Sequence, residues 1–232
     1  MDLVTGDAGA AKRFYGELLG WDAPDGDRYA HWTLDGRDVA GVYALPGVPP
    51  RWTSYVAVAD AAAAAAGAAA AGGSVVEPAA SVGANGTRAV IADPLGTPVA
   101  LWQAGDHPGA RLVNDVGCWC SNQLQAADPE PAVAFYETLF GWDVVEERDS
   151  VPPYWEVRHL GRDNGGMIGG QDGDPAWVVY FHVADADEFA RGVEALGGAV
   201  HFPPTTIGIG RLAVCADPQG ATFGIFAGPT DP

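Results

Sequence analysis

The feature that most constrains this chain is a stretch that occurs twice, 121 residues apart. Residues 7–22 and 128–143 share an aspartate, a Phe-Tyr pair, a leucine and a Gly-Trp-Asp ending. Each copy predicts an amphipathic helix, because its apolar side chains recur at helical spacing. Asp7 and Asp128 are expected to cap the two helices, and Gly20 and Gly141 to end them. Matched residues at one offset predict an internal repeat.

Further matched segments divide each half of the repeat into two modules. Trp52-x-x-Tyr55, on a strand predicted over residues 52–59, is matched by Trp177-x-x-Tyr180. An Asp-Pro-x-Gly turn occurs at residues 93–96 and again at 217–220. The prediction is an α+β fold of four βαβββ modules, paired into two curved mixed sheets with helices outside and a concave inner face. The predicted domains are residues 1–104 and 117–232, joined by a linker at 105–116.

Composition and charge exclude several classes of partner. The chain has 232 residues and a formal net charge of −18, which repels nucleic acid and anionic membranes. No apolar run is long enough to cross a membrane, and the first residues lack the basic start of a signal peptide. The three cysteines do not form an even disulfide framework, and Cys118 and Cys120 are expected to be buried thiols. We therefore expect a cytoplasmic protein with reduced thiols.

The order of these motifs resembles the vicinal oxygen chelate superfamily, which includes glyoxalase I, extradiol dioxygenases and bleomycin-resistance proteins. The resemblance rests on a strand, a capping aspartate, Phe-Tyr-x-x-Leu-x-Gly-Trp, a second strand-Asp-helix, and Asp-Pro-x-Gly before a last strand. It covers nearly the whole chain, in the tandem form of actinobacterial glyoxalase-like proteins. The resemblance implies the fold. It does not imply one function, because the superfamily includes both metal enzymes and plain binding proteins.

The resemblance also implies where the metal ligands of the superfamily would stand. The residues at those positions are Ser121, Val179 with its counterpart Ser54, Ala100 with its counterpart Gly224, and the strands around Gly41 and Gly166-Met167. None of these is a strong metal ligand, and none of the five histidines stands at such a position. We therefore expect no metal and no cofactor. A metal-dependent lyase or dioxygenase is kept as an alternative.

Counting by twos along the strands from these positions predicts which side chains share the inner face. The candidate catalytic residues are Asp2, Tyr29, His31, Tyr154 and Glu156. The carboxylates and the imidazole can move protons, and the tyrosines can donate hydrogen bonds to an oxyanion. The candidate substrate-binding residues are aromatic or polar: Trp52, Trp102, Trp119, Gln123, Arg158, Trp177 and Phe226. An aromatic surface with a few polar groups is typical of a small-molecule pocket.

Each candidate also has a purely structural interpretation. The tryptophans can close a domain interface, and His31 in a strand can be a satisfied or solvated residue. Asp2 can be a mobile terminal residue. Glu156 beside Arg158 can be a surface ion pair that contributes little stability.

Two functions are compatible with these residues. One is a metal-independent cyclase, isomerase or lyase that tailors a natural product, acting on a small aromatic or polyketide-like molecule. The other is a protein that sequesters an antibiotic or metabolite between tryptophans, as bleomycin-resistance proteins do. The ionisable candidates favour the enzyme, because sequestration needs only aromatic surface and hydrogen bonds. We expect no nucleic-acid or membrane partner, and either a monomer or a homodimer.

Overall fold

A computed structural model describes residues 1–26 and 29–230, so the last two residues of the predicted second domain lie outside the described part. The helices are α1 (Ala8–Leu19), α2 (Ala61–Ala70), α3 (Glu130–Phe140) and α4 (Ala186–Ala195). The strands are β1 (Asp2–Thr5), β2 (Ala30–Leu34), β3 (Arg37–Ala44), β4 (Arg51–Thr53), β5 (Tyr55–Ala57), β6 (Ser74–Ser81), β7 (Gly86–Ala92), β8 (Pro98–Ala104), β9 (Trp119–Gln125), β10 (Asp143–Glu147), β11 (Tyr154–His159), β12 (Arg162–Ile168), β13 (Ala176–His182), β14 (Ala199–Ile207), β15 (Gly210–Ala216) and β16 (Thr222–Ala227). The strand predicted over residues 52–59 is divided at Ser54 into β4 and β5.

The first compact unit, unit 1, comprises Met1–Thr53, Gly109–Ser121 and Val179–Pro232. One group of its strands has the order β2-β3-β1-β4, in which β1 is parallel to β3 and antiparallel to β4. The other group has the order β13-β16-β15-β14. Helices α1 and α4 cover one face of these strands. The core between them is rich in large side chains: Leu3, Phe14, Tyr15, Trp21, Trp32, Phe181, Phe223 and Ile225.

The second compact unit, unit 2, comprises Ser54–Pro108 and Asn122–Val178. Its strands form the groups β5-β8-β7-β6 and β10-β11-β12-β9. Helices α2 and α3 cover one face of both groups, and the small side chains of the alanine-rich α2 let that helix lie close to the strands. The core contains Ile91, Leu101, Leu124, Phe135, Tyr136, Val157 and Met167.

Each compact unit combines modules from both halves of the sequence. Unit 1 contains the first and fourth modules, and unit 2 contains the second and third. The predicted domains at 1–104 and 117–232 follow the sequence repeat, so the compact units divide the chain differently from the repeat.

The helix ends follow the predicted capping chemistry with one correction. Asp7 accepts a 2.8 Å hydrogen bond from the amide of Ala10, and Gly20 and Gly141 end their helices at φ 72° and 65°. Asp128 is not the cap of α3. The N-cap position is that of Pro129, and the helix begins at Glu130. The carboxylate of Asp128, one residue earlier, still accepts a 3.0 Å hydrogen bond from the Glu130 amide, as the prediction for a first free amide required.

Two further sequence features have a clear outcome. Within residues 1–26 and 29–230, none of the helices has the length and apolar character that a membrane crossing requires. The three cysteines are free thiols. Cys118 is buried as predicted and so is Cys215, whereas Cys120 is only partly buried. Burial raises the pKa of the Cys118 thiol to about 11, so this thiol stays protonated and unreactive at neutral pH.

Candidate functional site

The inner face, defined as the face of each group of strands opposite its helices, carries a row of candidate residues in unit 1. Asp2 and His31 both pair with Gly41, from the two sides of strand β3. Asp2 is only 3% exposed, whereas Tyr29 is 53% exposed. The Tyr29 ring lies 5.3 Å from the His31 ring, and a Cβ atom added at Gly41 would collide with the Tyr29 hydroxyl. The structure therefore brings Asp2, Tyr29 and His31 together.

A corresponding row lies on the inner face of unit 2. Glu156 pairs with Gly166, and a Cβ atom added at Gly166 would collide with the Tyr154 hydroxyl. The carboxylate of Glu156 contacts the guanidinium of Arg158 in a short ion pair. The Arg158 Nε atom also donates a 3.2 Å hydrogen bond to Asp163. The arginine therefore bridges two carboxylates beside a tyrosine hydroxyl.

The electrostatics of this second row favour proton transfer. Burial raises the pKa of Glu156 above its ordinary value; a hydrogen bond with Asp163 raises it further, and Arg158 lowers it. Burial, together with the negative charges of Glu147, Glu156 and Asp163, raises the pKa of Tyr154 to about 12. The tyrosine is therefore a hydrogen-bond donor at neutral pH, while the glutamate is shifted towards the range in which it can exchange a proton.

Two predicted binding residues do not lie on the inner face. Trp52 and Trp177 face the helices, where their indole nitrogens donate hydrogen bonds of 2.9 and 2.7 Å to the hydroxyls of Tyr15 and Tyr136. The prediction started its count at Val179, which is fully buried against the helices of unit 1. A count that is wrong by one residue assigns every side chain of a strand to the opposite face.

The remaining predicted residues are distributed over both units. Trp102 lies against Gly86, and its indole nitrogen donates a 2.9 Å hydrogen bond to the carbonyl oxygen of His107. Gln123 accepts a 3.2 Å hydrogen bond from Gln125 in unit 2. In unit 1, Trp119 packs on the core and the Phe226 ring lies against Gly210. Trp119 therefore belongs to the core of unit 1, and the other residues of this group are divided between the two units.

The sequence interpretation missed two tyrosines that pair with positions implied for metal ligands. Tyr180 pairs with Gly224, and a Cβ atom added at Gly224 would collide with its ring. Tyr55 pairs with Ala100 in the equivalent register of unit 2. The signal was present in the sequence, because Tyr55 and Tyr180 are separated by 125 residues, as are Tyr29 and Tyr154.

The residues at the implied ligand positions do not fit a metal ion. Glycine and alanine carry no donor side chain, and tyrosine rings fill the space that a side chain at Gly41, Gly166 or Gly224 would need. Ser54 is engaged elsewhere, since its hydroxyl donates a 2.9 Å hydrogen bond to Asn122. Elsewhere in unit 1, one ligand atom each of His31 and Asp38 lie within 4.8 Å of each other.

Comparisons with known proteins agree on one family. The model of the Glyoxalase/Bleomycin resistance protein/Dioxygenase superfamily matches residues 1–101 and 120–225. The chain is 39% identical to the putative glyoxylase CFP32 of Mycobacterium tuberculosis, over 97% of this chain and 92% of that protein. It is 31% identical to the anthracycline biosynthesis protein DnrV of Streptomyces peucetius, over 97% of this chain and 90% of that protein.

Solved structures share the fold at low sequence identity. The 2,3-dioxygenase LapB from a Pseudomonas species matches with a TM-score of 0.69 and 14% identity, over 100% of this chain and 91% of that chain. The Mn(II)-bound glyoxalase from Novosphingobium aromaticivorans matches with a TM-score of 0.67 and 16% identity, over 97% of this chain and 80% of that chain. The predicted α+β fold of tandem modules is confirmed.

Proposed function

Because this chain belongs to the glyoxalase/bleomycin resistance protein/dioxygenase superfamily, we propose that it is a metal-independent enzyme that moves protons on a small aromatic, polyketide-like molecule. The reaction class is that of an isomerase, cyclase or lyase. The proposed site is the inner face of unit 2, with Glu156 as the proton-transfer residue. The observation that supports this most strongly is a partly buried carboxyl group with a raised pKa beside a tyrosine hydroxyl.

Glu156 and Tyr154 have complementary roles in the proposed reaction. The carboxylate of Glu156 accepts a proton from a carbon next to a carbonyl group, and the electron pair of that C–H bond stays on the substrate as an enolate. The hydroxyl of Tyr154 donates a hydrogen bond to the enolate oxygen, and Arg158 offsets the negative charge. The protonated Glu156 then returns the proton at the same or another position, which completes an isomerisation or starts a ring closure or elimination.

The substrate class is inferred from the relatives and from the surface. Two Streptomyces relatives at 31% identity are described as anthracycline biosynthesis proteins, and an anthracycline is a planar polycyclic compound with carbonyl and hydroxyl groups. Tyr55 and Tyr154 offer aromatic rings on the inner faces of the two groups of strands in unit 2. Flat aromatic rings stack on such side chains, and enolisable carbonyl groups provide the acidic C–H bond.

A sequestering protein is the second candidate. It is favoured by the aromatic inner face of unit 1, where the Tyr29 and Tyr43 rings stack with centroids 5.9 Å apart. Stacking and hydrogen bonding hold a planar ligand without any proton transfer. This alternative makes no demand on the ionisation of Glu156.

The two candidates are separated by measuring binding and turnover on the same ligand. A panel of hydroxyanthraquinones and related aryl ketones is screened by thermal shift, and the dissociation constant of each hit is measured by fluorescence quenching. Glu156→Gln is expected to lower kcat at least about 100-fold and to leave Kd within about threefold. Glu146→Gln, the same change on the neighbouring strand β10, is the matched control and is expected to leave both unchanged.

Two results would overturn the proposed enzymatic function. One is a hit that binds tightly but is recovered chemically unchanged by mass spectrometry, which supports sequestration. The other is turnover that is equal in Glu156→Gln and wild type, which removes Glu156 from the mechanism.

A further inference from the structure

We infer that Asp163 is a positioning residue for Glu156: it shares the positive charge of Arg158, so that this charge does not act on Glu156 alone. The inference rests on the proposed function, because it concerns how the proton-transfer residue is kept basic. Asp163 does not belong to the candidate residues that the sequence patterns indicated.

A β-bulge in strand β12 turns Asp163 towards Arg158. Glu156 pairs with Gly166, whereas Arg158, two residues further along β11, pairs with Asp163, three residues back along β12. Asn164 is the extra residue of the bulge. In a regular strand, residues three apart lie on opposite faces, so alternation alone would point Asp163 away from the inner face. The bulge therefore brings its carboxylate onto the face that carries Glu156 and Arg158.

One guanidinium group joins the two carboxyl groups. The Nη2 atom of Arg158 contacts Glu156 in the short ion pair, and its Nε atom donates a 3.2 Å hydrogen bond to Asp163. The side chain of Glu156 is 21% exposed, whereas that of Asp163 is 65% exposed. Desolvation disfavours the charged form of a carboxyl group, so the more buried Glu156 is the one suited to take up and return a proton.

The shared arginine determines how strong a base Glu156 is. Burial is the largest cause of the raised pKa of Glu156; Asp163 raises it further by a hydrogen bond and by its charge, and Arg158 lowers it. A carboxylate with a lower pKa is a weaker base towards a C–H bond. With Asp163 present, the charge of Arg158 is divided between two carboxylates, and Glu156 keeps more of its basicity.

The internal repeat keeps an aspartate at the same bulge. Strand β3 has an extra residue opposite β2, and the bulge there pairs Asp38 with Thr33. Asp38 and Asp163 are 125 residues apart, as are His31 and Glu156. One ligand atom of Asp38 lies within 4.8 Å of one of His31. An aspartate beside the ionisable residue thus recurs in both modules, although threonine replaces the arginine between them.

The other ionisable groups that face Glu156 are constant in the test. Strand β10 contributes Asp143 and Glu147, which pair with Arg158 and Tyr154 on the two sides of Glu156. Strand β9 contributes no charged side chain within its described residues. These groups are the same in every variant below, so a difference between variants reports the aspartate of the bulge.

The test follows the ionisation of Glu156 itself, by carbon NMR of protein labelled at the glutamate side-chain carboxyl. The Glu156 signal is identified by its loss in Glu156→Gln. Asp163→Asn should lower the midpoint of this titration by at least about half a pH unit, because the charge of Arg158 then acts on one carboxylate. Asp163→Glu, which keeps the charge, should restore the midpoint. Asp149→Asn, the same change in the exposed turn between β10 and β11, is the matched control and should leave it unchanged.

Turnover distinguishes a positioning residue from one that contacts the substrate. With an enolisable hydroxyaryl ketone, Asp163→Asn should leave Kd within about threefold and lower kcat at high pH by about threefold, because the base is weaker. The acid limb of its pH profile should move to lower pH, in step with the titration. Asp163 is largely exposed, so these changes remove no buried group and the variants should melt at the wild-type temperature.

The two measurements fail separately. The same Glu156 midpoint in Asp163→Asn and wild type overturns the role of Asp163, whatever the turnover. A lowered midpoint with an unchanged kcat and pH profile also overturns it, because the charge of Asp163 then has no effect on the reaction. Equal turnover by Glu156→Gln and wild type overturns the proposed function, and this inference with it, even where the midpoint moves as expected.

Discussion

The hydroxyl of Tyr136 donates a 3.0 Å hydrogen bond to the carboxylate of Asp93, although the two residues lie in different halves of the sequence repeat. The same hydroxyl accepts a 2.7 Å hydrogen bond from the indole of Trp177. Tyr15 makes the equivalent bond to Asp217, at 3.3 Å. The aspartates of the two Asp-Pro-x-Gly turns thus join the modules that form each compact unit.

Removing the Tyr136 hydroxyl tests this connection. Tyr136→Phe leaves the buried carboxylate of Asp93 and the indole NH of Trp177 without this partner, so the free energy of unfolding should fall by about 1–3 kcal/mol. Tyr15→Phe is the matched variant, and it should cost less because its bond to Asp217 is longer. Urea unfolding measures both. A loss under about 0.5 kcal/mol for Tyr136→Phe would contradict the connection.

The pH dependence of stability follows from the pKa of Asp93. Burial raises the pKa of this carboxyl above its ordinary value of 3.8, although hydrogen bonds from Thr97 and Tyr136 lower it. A folded-state pKa above the unfolded one gives a stabilisation that is full below the unfolded pKa and is lost as pH rises through the folded pKa. The stability of wild type relative to Asp93→Asn should therefore fall as the pH rises above the unfolded pKa of about 4. Urea unfolding at several pH values checks this, and a relative stability that rises with pH would contradict it.

The tyrosine that covers Gly166 can be displaced by one methyl group. Gly166→Ala places a Cβ atom in the space of the Tyr154 hydroxyl, so the ring must rotate away. We expect a stability loss of about 1 kcal/mol, and a fall in kcat of about tenfold as the donor to the substrate oxygen is misplaced. Gly208→Ala is the control, because nothing lies within 4 Å of the added atom. Unchanged kcat in Gly166→Ala would show that Tyr154 does not contact the substrate.

Metal content is predicted from the side chains at the implied ligand positions. Protein dialysed against a chelator should retain full turnover and carry well under one transition metal ion per chain, because these positions offer no strong donors. Elemental analysis and activity are measured on the same sample. His31→Ala tests the donors His31 and Asp38. A stoichiometric metal that restores lost activity would contradict the proposal.

Local patterns in the sequence predicted the helix ends and much of the inner face. Counting by twos placed Tyr29 and His31 on the inner face, and Trp32, the next residue along the strand, is buried in the core. The assignment failed at Trp52 and Trp177, because the count started from Val179, which faces the helices. Nothing in the local period of a strand fixes the starting face; that choice is made by packing against a helix.

The contact of Asp163 with Arg158 and the pairing of modules were beyond sequence reasoning for a related reason. Simple alternation assigns Asp163 to the face opposite that of Gly166, and the bulge in β12 reverses this assignment. The contact therefore depends on the register between two strands and not on the period along one. The repeat gave the number of modules, whereas the choice of partners depends on tertiary contacts such as that of Tyr136 with Asp93.

The central claim, proton transfer at the inner face of unit 2 without a metal, is tested most directly by solvent deuterium exchange. Chelator-treated protein is incubated in D₂O with enolisable hydroxyaryl ketones, and deuterium incorporation at carbon is followed by NMR. The account predicts incorporation by wild type and by Glu146→Gln, and incorporation at least about 100-fold slower with Glu156→Gln. Equal incorporation by Glu156→Gln and wild type, or incorporation that appears only when a divalent metal is added, would contradict it.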